Sequence, residues 1–280
     1  MSVVHALVLG FVQGISEFLP ISSSGHLILL PKLFGWSDQG LTFDVVVHLG
    51  SLVAVVVYFR HKLWRMVKSL VVMDKAIKVD LSLSSDRGES PHFYRRLAAL
   101  LALSIIPAGL FGYFFDGWIE TNLRATWVVA FDLIFWGLLL GIADLYQRSA
   151  THMHQLTSVT LRDTIIIGFA QALALFPGTS RSGITMTAGL FCKFDKKTAA
   201  EFSFLMSVPI IALAGLVKIK DLIQNGLDHV SIFPLTVGFF SAMISGFFAI
   251  WVLMKMIERW SFLPFVLYRV VLGVFLLLLF

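Results

Sequence analysis

Gly10-Phe-Val-Gln13-Gly-Ile-Ser-Glu17-Phe-Leu-Pro20-Ile-Ser22-Ser23-Ser24-Gly25-His26 is a polar stretch set into apolar sequence, and a close relative of it occurs later in the same chain. The second copy runs Gly168-Phe-Ala-Gln171, then Leu175-Phe-Pro177-Gly178-Thr179-Ser180-Arg181-Ser182-Gly183. Both copies carry Gly-Phe-x-Gln, an apolar turn, a proline, a hydroxyl cluster and a Ser-Gly. The offset is 158 residues at Gly10 and Gly168 and again at Ser24 and Ser182, with one residue compensated in between. Composition bias can yield Ser-Gly twice, but not both ends in register. The chain therefore reads as a repeat with its site between the two copies.

The surrounding sequence is that of an integral membrane protein. Its 280 residues are 58% hydrophobic and only 14% charged, with 26 Phe, whereas a soluble chain carries about a quarter charged residues. Several apolar runs reach the ~20 residues needed to cross a bilayer. The lone Cys192 excludes a disulfide framework within one chain. The formal charge of +5 reads as basic loops retained on the cytoplasmic side rather than as a nucleic-acid surface. The N-terminus lacks a basic n-region, and Glu17 and Pro20 interrupt its apolar run, so it reads as part of the fold rather than a signal peptide.

Taken in order, residues 3–34 break at Pro20 into two halves, each too short to span, which predicts a re-entrant helix–loop–helix. Non-helical backbone at membrane depth is tolerated only where protein or a water-filled cavity satisfies it. A span follows at 42–60, then a surface helix at 61–74 that mixes basic and apolar residues, and a polar loop at 75–92. Further spans fall at 94–115 and 124–146, joined by an acidic connection, Asp116–Glu120. The second half repeats the order, with a re-entrant segment at 161–192 and spans at 198–218, 231–254 and 260–280. The expected architecture is a single all-α membrane domain over 1–280, with repeats at 1–148 and 149–280. Each repeat holds one re-entrant hairpin and three transmembrane helices. Three crossings per repeat make the second copy enter the membrane inverted, the plan in which a site sits near the midplane where broken segments meet. With the N-terminus outside, 16 of the 22 Lys and Arg lie on inside loops, including Lys75, Lys78 and Arg87. The outside receives Lys32, Arg124, Lys218 and Lys220, and Arg181 and Arg269 fall within membrane segments. That split supports this orientation.

The chemistry-bearing residues concentrate in the two polar stretches. Gln13 and Glu17, four apart, share one helix face, and a carboxylate in an apolar segment points to function with a partner. Its natural uses are to hold a divalent metal or a catalytic proton. Ser22, Ser23 and Ser24 would ordinarily be only a helix N-cap, but His26 lies within reach of the same turn. A hydroxyl beside an imidazole is how a weak oxygen nucleophile is activated. The turn Pro177–Gly183, with Thr179, Ser180 and Ser182, is the strongest signal. Its backbone N–H groups and hydroxyls open a helix, which suits an anion and phosphate above all. Arg181 adds a planar fork matched to phosphate oxygens. It is not a P-loop, since the Walker spacing and its Lys are absent. A diphosphate carries roughly −2 to −3 near neutral pH, more than Arg181 and His26 can offset in a low-dielectric site. A divalent cation, Mg²⁺ or Ca²⁺, bridging Glu17 and phosphate oxygens, with Gln13 beside it, is the expected cofactor. Asp44 and His48 could line an entrance, Asp132 and Arg269 could pair within the spans, and His152 and His154 read as solvated.

At these residues the chain resembles the undecaprenyl-diphosphate phosphatase, or bacitracin-resistance, family. Gln13–Glu17 matches its first motif, Pro20–His26 its Pro-x-Ser-Ser-(Ser/Thr)-Gly-His turn, and Pro177–Gly183 its Pro-Gly-x-Ser-Arg-Ser-Gly motif. The similarity extends to Glu-Phe-Ser-Phe-Leu at 201–205 and to Pro-Phe…Tyr-Arg at 264–269. The resemblance implies a multi-pass enzyme of the bacterial inner membrane with an inverted-repeat fold, in which the outside N-terminus of the charge count would be periplasmic. It would be a hydrolase of a phosphorus-containing anhydride, releasing phosphate from undecaprenyl diphosphate and recycling the lipid carrier for peptidoglycan and cell shape. Bacitracin resistance would follow. It assigns Glu17 to metal or proton handling, Ser23 as nucleophile, His26 as acid/base and Arg181 as phosphate clamp. Ser22, Ser24, Thr179, Ser180, Ser182 and Gly183 would cradle the phosphate. Gln13 takes the family's Gln option, so a second carboxylate is missing, and His48 stands where some relatives have Gln. The expected partners are the polyprenyl diphosphate, membrane lipids and a second copy of the chain as a homodimer, with no nucleic acid. The rival reading is a lipid-phosphate transporter or flippase that uses the same site for binding, since inverted repeats with broken helices also serve transport.

Overall fold

The computed structural model describes residues 1–71, 90–123, 125–150, 152–225 and 231–279. Most of the loop expected at 75–92, with Lys75, Lys78 and Arg87, lies outside the described residues, as does Arg124. Among the described residues the chain is helical, with no strand beyond an isolated bridge between His154 and Phe194.

Helices α1 (Val3–Phe18) and α2 (Ser23–Phe34) form the first hairpin, followed by α3 (Gly40–Tyr58) and α4 (Arg60–Val71). Helices α5 (Pro91–Ser104), α6 (Ile106–Asn122) and α7 (Thr126–Arg148) complete the first half. After a 3₁₀ turn (Leu156–Ser158) come α8 (Leu161–Leu173) and α9 (Arg181–Phe191), the second hairpin. Then follow α10 (Lys196–Asn225), α11 (Ile232–Met256) and α12 (Leu263–Leu279). Among the described residues, five helical segments are long and apolar enough to cross a membrane: α3, α5 continued into α6 as far as Phe115, α7, α10 up to Lys218, and α11. The chain is a multi-pass membrane protein. At 17 residues α12 is about 25 Å long, somewhat short of the ~30 Å hydrocarbon core.

Three expectations change. The span at 94–115 is broken at Ile105, because Pro107 brings no N–H for the carbonyl four residues back and its ring crowds that carbonyl. The acidic connection Asp116–Glu120 is not a loop but the last turns of α6, which runs on to Asn122. His154 also departs from its expected solvated state: its N–H donates to Lys193 O at 2.8 Å, and its ring packs on Phe194.

Close helix crossings position the hairpins. On α1, a Cβ at Gly10 would collide with the carbonyl of Gly238, and one at Gly14 with the carbonyl of Ala242, both on α11. Such small-residue contacts let backbones approach where lipid supplies no hydrophobic drive. On α8 the counterpart Gly168 rests against Ser104, where a Cβ would sit 2.7 Å from the carbonyl oxygen. Each hairpin is thus seated by a glycine against the carbonyl of another helix. Among the described residues the largest apolar core joins the ends of α1 and α3 to the starts of α5 and α10, through Phe18, Phe59, Phe93, Phe202 and Phe204.

Candidate active site

The two hairpin turns have the same local geometry. Ser22 (φ 75°, ψ 93°) and Ser180 (φ 73°, ψ 109°) are the N-caps of α2 and α9, both in left-handed backbone that costs an ordinary side chain roughly 1–2 kcal/mol. Each returns a cap bond: Ser22 Oγ accepts Gly25 N at 3.3 Å and Ser180 Oγ accepts Gly183 N at 3.1 Å. The next hydroxyls pair alike, Ser22 with Ser24 at 3.4 Å and Ser180 with Ser182 at 3.3 Å. Before the second turn, Gly178 takes φ 99°, and a Cβ there would meet Val129 O at 2.7 Å, so the position demands glycine.

The turns meet end to end. Ser182 Oγ donates to Leu19 O at 3.0 Å across the two hairpins. Arg269 of α12, fully buried, ties both turns to α7. Its guanidinium donates to Pro20 O (3.3 Å), Gly178 O (3.1 Å) and Thr179 O (2.9 Å), and to Leu133 O (3.1 Å) and Asp132 O (3.3 Å). The expected Asp132–Arg269 contact is thus made through the backbone carbonyl of Asp132. These are charge-assisted bonds from one fork, three of them to carbonyls of the two turns, which have no helix to bond them, and two to carbonyls inside α7.

Glu17 is the hub on the cavity side. Its Oε2 accepts Gln13 Nε2 at 3.0 Å and Ser23 Oγ at 2.7 Å, with His48 Nε2 at 3.7 Å. Its Oε1 accepts Arg181 Nη2 at 2.9 Å, so one carboxylate joins α1, the first turn and the second hairpin. Ser203 of α10, not singled out from the sequence, holds the other side of Arg181: Nη1 donates to Ser203 O at 3.3 Å. A cavity of about 330 Å³ opens beside this group. Its polar wall includes Glu17, Ser23, Ser24, Ser180 and Arg181, with Asp44 and His48 of α3 and Lys218 of α10. Its apolar wall is Leu41, Val45 and Leu49 of α3 facing Ile210, Ile211 and Ala214 of α10.

Not every residue singled out from the sequence reaches that wall. Gln13 stands behind Glu17, fully buried, with its Oε1 lacking any hydrogen-bond partner. Ser22, Thr179, Ser182 and Gly183 are buried inside the turns rather than on the cavity. The Gly183 N–H is spent on Ser180, and the Thr179 hydroxyl has no partner. His26 is turned away from Ser23. Its Nδ1 bonds Ser22 O at 2.7 Å, its Nε2 bonds Tyr268 Oη at 2.6 Å, and the two rings stack. Because a carbonyl only accepts, Nδ1 carries the proton, which leaves Nε2 of the neutral ring to accept from the Tyr268 hydroxyl. Tyr268 could have been suspected from the sequence only as the neighbour of an intramembrane arginine. The apolar stripes of α3 and α10 carry no signal, being uniform with the rest of their spans.

Among the described residues no three His, Cys, Asp or Glu side chains cluster as a metal centre. The donor set nevertheless fits a hard divalent cation in part. The Glu17 carboxylate lies on the cavity wall, and the adjacent Gln13, whose Nε2 is on Glu17, keeps an unpartnered Oε1; these are the oxygens the protein would offer, with the remaining positions from phosphate and water.

Comparison with known proteins places these motifs in context. The model of the bacitracin resistance protein BacA family matches residues 6–275. An undecaprenyl-diphosphatase of Thioalkalivibrio sulfidiphilus is 45% identical over 280 residues, covering all of both chains. Undecaprenyl-diphosphatase 2 of Stutzerimonas stutzeri is 44% identical over 280 residues, covering all of this chain and 99% of the relative. An undecaprenyl-diphosphatase of Campylobacter curvus is 43% identical over all of both chains. With full-length matches at this identity and both turn motifs in place, the chain belongs to the bacitracin resistance protein BacA family.

Proposed function

We propose that the protein hydrolyses undecaprenyl diphosphate to undecaprenyl phosphate and inorganic phosphate, returning the lipid carrier to cell-wall synthesis. The observation that carries this reading is the junction at Glu17, where a serine hydroxyl and an arginine from opposite hairpins meet on one carboxylate beside a cavity with one apolar wall. A pure binding site for a lipid phosphate needs the arginine but not a hydroxyl whose proton is already aimed at a base.

Ser23 Oγ attacks the terminal phosphorus as its proton passes along the 2.7 Å hydrogen bond to Glu17 Oε2. The bond from that phosphorus to the bridging oxygen breaks, and undecaprenyl phosphate leaves with the electron pair. Water then hydrolyses the phosphoserine, the proton returns to the serine oxygen, and inorganic phosphate is released. His26, held by Tyr268, fixes the first turn and is a positioning residue in this scheme rather than the base. Arg181, with Ser24 and Ser180 on the cavity wall, orients the phosphate, and positioning and electrostatics supply most of the rate. A bound Mg²⁺ or Ca²⁺, held by Glu17 and Gln13, would offset phosphate charge. The isoprenoid tail leaves along the apolar stripes of α3 and α10 into the bilayer.

The site reading extends to topology. The matched Ser22 and Ser180 caps and the matched seats of Gly10 and Gly168 support two inverted repeats, 1–148 and 149–280. With the N-terminus on the periplasmic side of a bacterial inner membrane, the cavity opens outward, because its lining comes from the first turns of α3 and the later turns of α10. Single cysteines at Ser2 and Gln39 are then labelled by an impermeant reagent on whole cells, while one at Arg162 is labelled only after permeabilisation. The reverse pattern would discard this orientation.

The primary test is phosphate release from C55 diphosphate by the purified protein, with and without EDTA, beside Arg181→Ala. We expect release to require the metal and to fall roughly 10²–10³-fold in Arg181→Ala, the usual loss for one preorganised donor. No release from a folded wild-type sample would leave a lipid-phosphate binding protein instead.

A further inference from the structure

A second cavity, of about 510 Å³, lies at the other end of α10 from the candidate active site, where the end of α7, the start of α10 and the turn from α11 to α12 meet. Its charged lining is Arg148, Lys196, Lys197 and Arg259 against Asp195 and Glu258. These are not simply loop charges left by membrane insertion. Asp144, 3% exposed, lies beneath two of them, accepting Arg148 Nη2 at 2.7 Å and approached by Lys196 Nζ at 3.3 Å. Lys196 Nζ also donates to Trp260 O at 3.1 Å, and Lys197 pairs with Glu258 at 3.3 Å. Asp195 spends Oδ1 on the N–H of Thr198, which leaves it a helix cap. Orientation of loops by charge requires only that basic residues be present. A desolvated carboxylate that holds an arginine and a lysine in one place is costly, and it organises a site.

The charge and the surroundings indicate the occupant. Four cations against Asp144, Asp195 and Glu258 leave a single positive charge, the complement of one phosphodiester. The lining also carries exposed apolar side chains, Trp260 at 63% and Met153 at 46%. An exposed tryptophan at this level is typical of the headgroup region of a bilayer, and basic pockets between helices are the usual seats of anionic headgroups. We infer that this cavity binds the phosphodiester headgroup of an anionic phospholipid, on the membrane face that carries the basic loops. The inference does not depend on the proposed phosphatase reaction.

The test uses the full chain in nanodiscs of phosphatidylcholine, with or without phosphatidylglycerol, reading the thermal midpoint and the lipid retained in native mass spectrometry. Wild type should gain stability from phosphatidylglycerol and retain one molecule of it. The double substitution Arg148→Gln, Arg259→Gln should weaken that retention roughly thirtyfold, since two basic contacts to an anionic lipid are removed. Its phosphate release should stay unchanged. If the double variant does not fold, Arg259→Gln alone, which leaves the Asp144 cluster intact, should still reduce retention about fivefold. Equal retention by wild type and the folded variants would overturn the inference. So would an equal gain from phosphatidylcholine alone, or a gain reproduced by inorganic phosphate, which would make the site one for a free anion.

Discussion

At Glu17 the carboxylate has a donor on each oxygen, and two of those donors carry the proposed reaction. Glu17→Gln preserves the shape but removes the proton acceptor for Ser23 and the counter-charge for Arg181. Its phosphate release should fall roughly 10²–10⁴-fold, the range for loss of a general base, as read in single-turnover assays. Ser23→Ala should abolish turnover and any acid-stable phosphoprotein, whereas a His26 variant with near-wild-type activity would confirm that Ser23 does not need that imidazole. Glu17, Ser23 and Arg181 were legible in the sequence, since an acid, a hydroxyl turn and an arginine stand out against apolar surroundings. The partner of His26 was not. Spacing set it within reach of the serine turn, but the start of α2 turns its ring onto Tyr268, which lies 242 positions further along the chain. Local spacing cannot carry a contact over that separation.

Among the elements, the hairpins depend on two serines held at positive φ. At Ser22 an alanine keeps the backbone strain and loses the cap, while a glycine loses the cap but relieves the strain. Ser22→Gly should therefore be the more stable of the two by about 1 kcal/mol, measured by thermal unfolding in detergent. At the crossing of α1 and α11, Gly14→Leu would drive a side chain into Ala242 and Ser245. The hairpin should then lose its seat, lowering both the unfolding midpoint and the activity. The hairpins, the helix expected at 61–74 and described as Arg60–Val71, and most span boundaries could be read from Pro20, Pro177, the mixing of basic and apolar residues and the lengths of apolar runs. The kink at Ile105 was also readable, from Pro107, but hydropathy averages straight across it. The apolar stripes of α3 and α10 could not be separated from lipid-facing positions, because in a membrane both are hydrophobic.

For the whole molecule, the arrangement rests on Arg269, whose position in an apolar span marked it out but whose partners, all backbone oxygens, no sequence pattern encodes. Arg269→Met should cost on the order of 3 kcal/mol or more, since several carbonyls lose a charged donor at once. Arg269→Lys should recover little of it, because an ammonium cannot reach the same spread of acceptors as a guanidinium fork. Equilibrium unfolding of both variants distinguishes this keystone from a merely tolerated charge: equal stability to wild type would refute it.

The same side chain limits how the protein can work. To rock one half of the bundle against the other, Arg269 of the second half would have to release Pro20 O, Asp132 O and Leu133 O of the first, while Ser182 let go of Leu19 O. Each bond from a charged donor is worth about 1.5–3 kcal/mol, and within the bilayer no water waits to replace it. On the proposed reaction, a seam held this way would make the substrate the traveller: a lipid that lifts its headgroup to a stationary catalyst, sheds one phosphate and sinks back into its own leaflet.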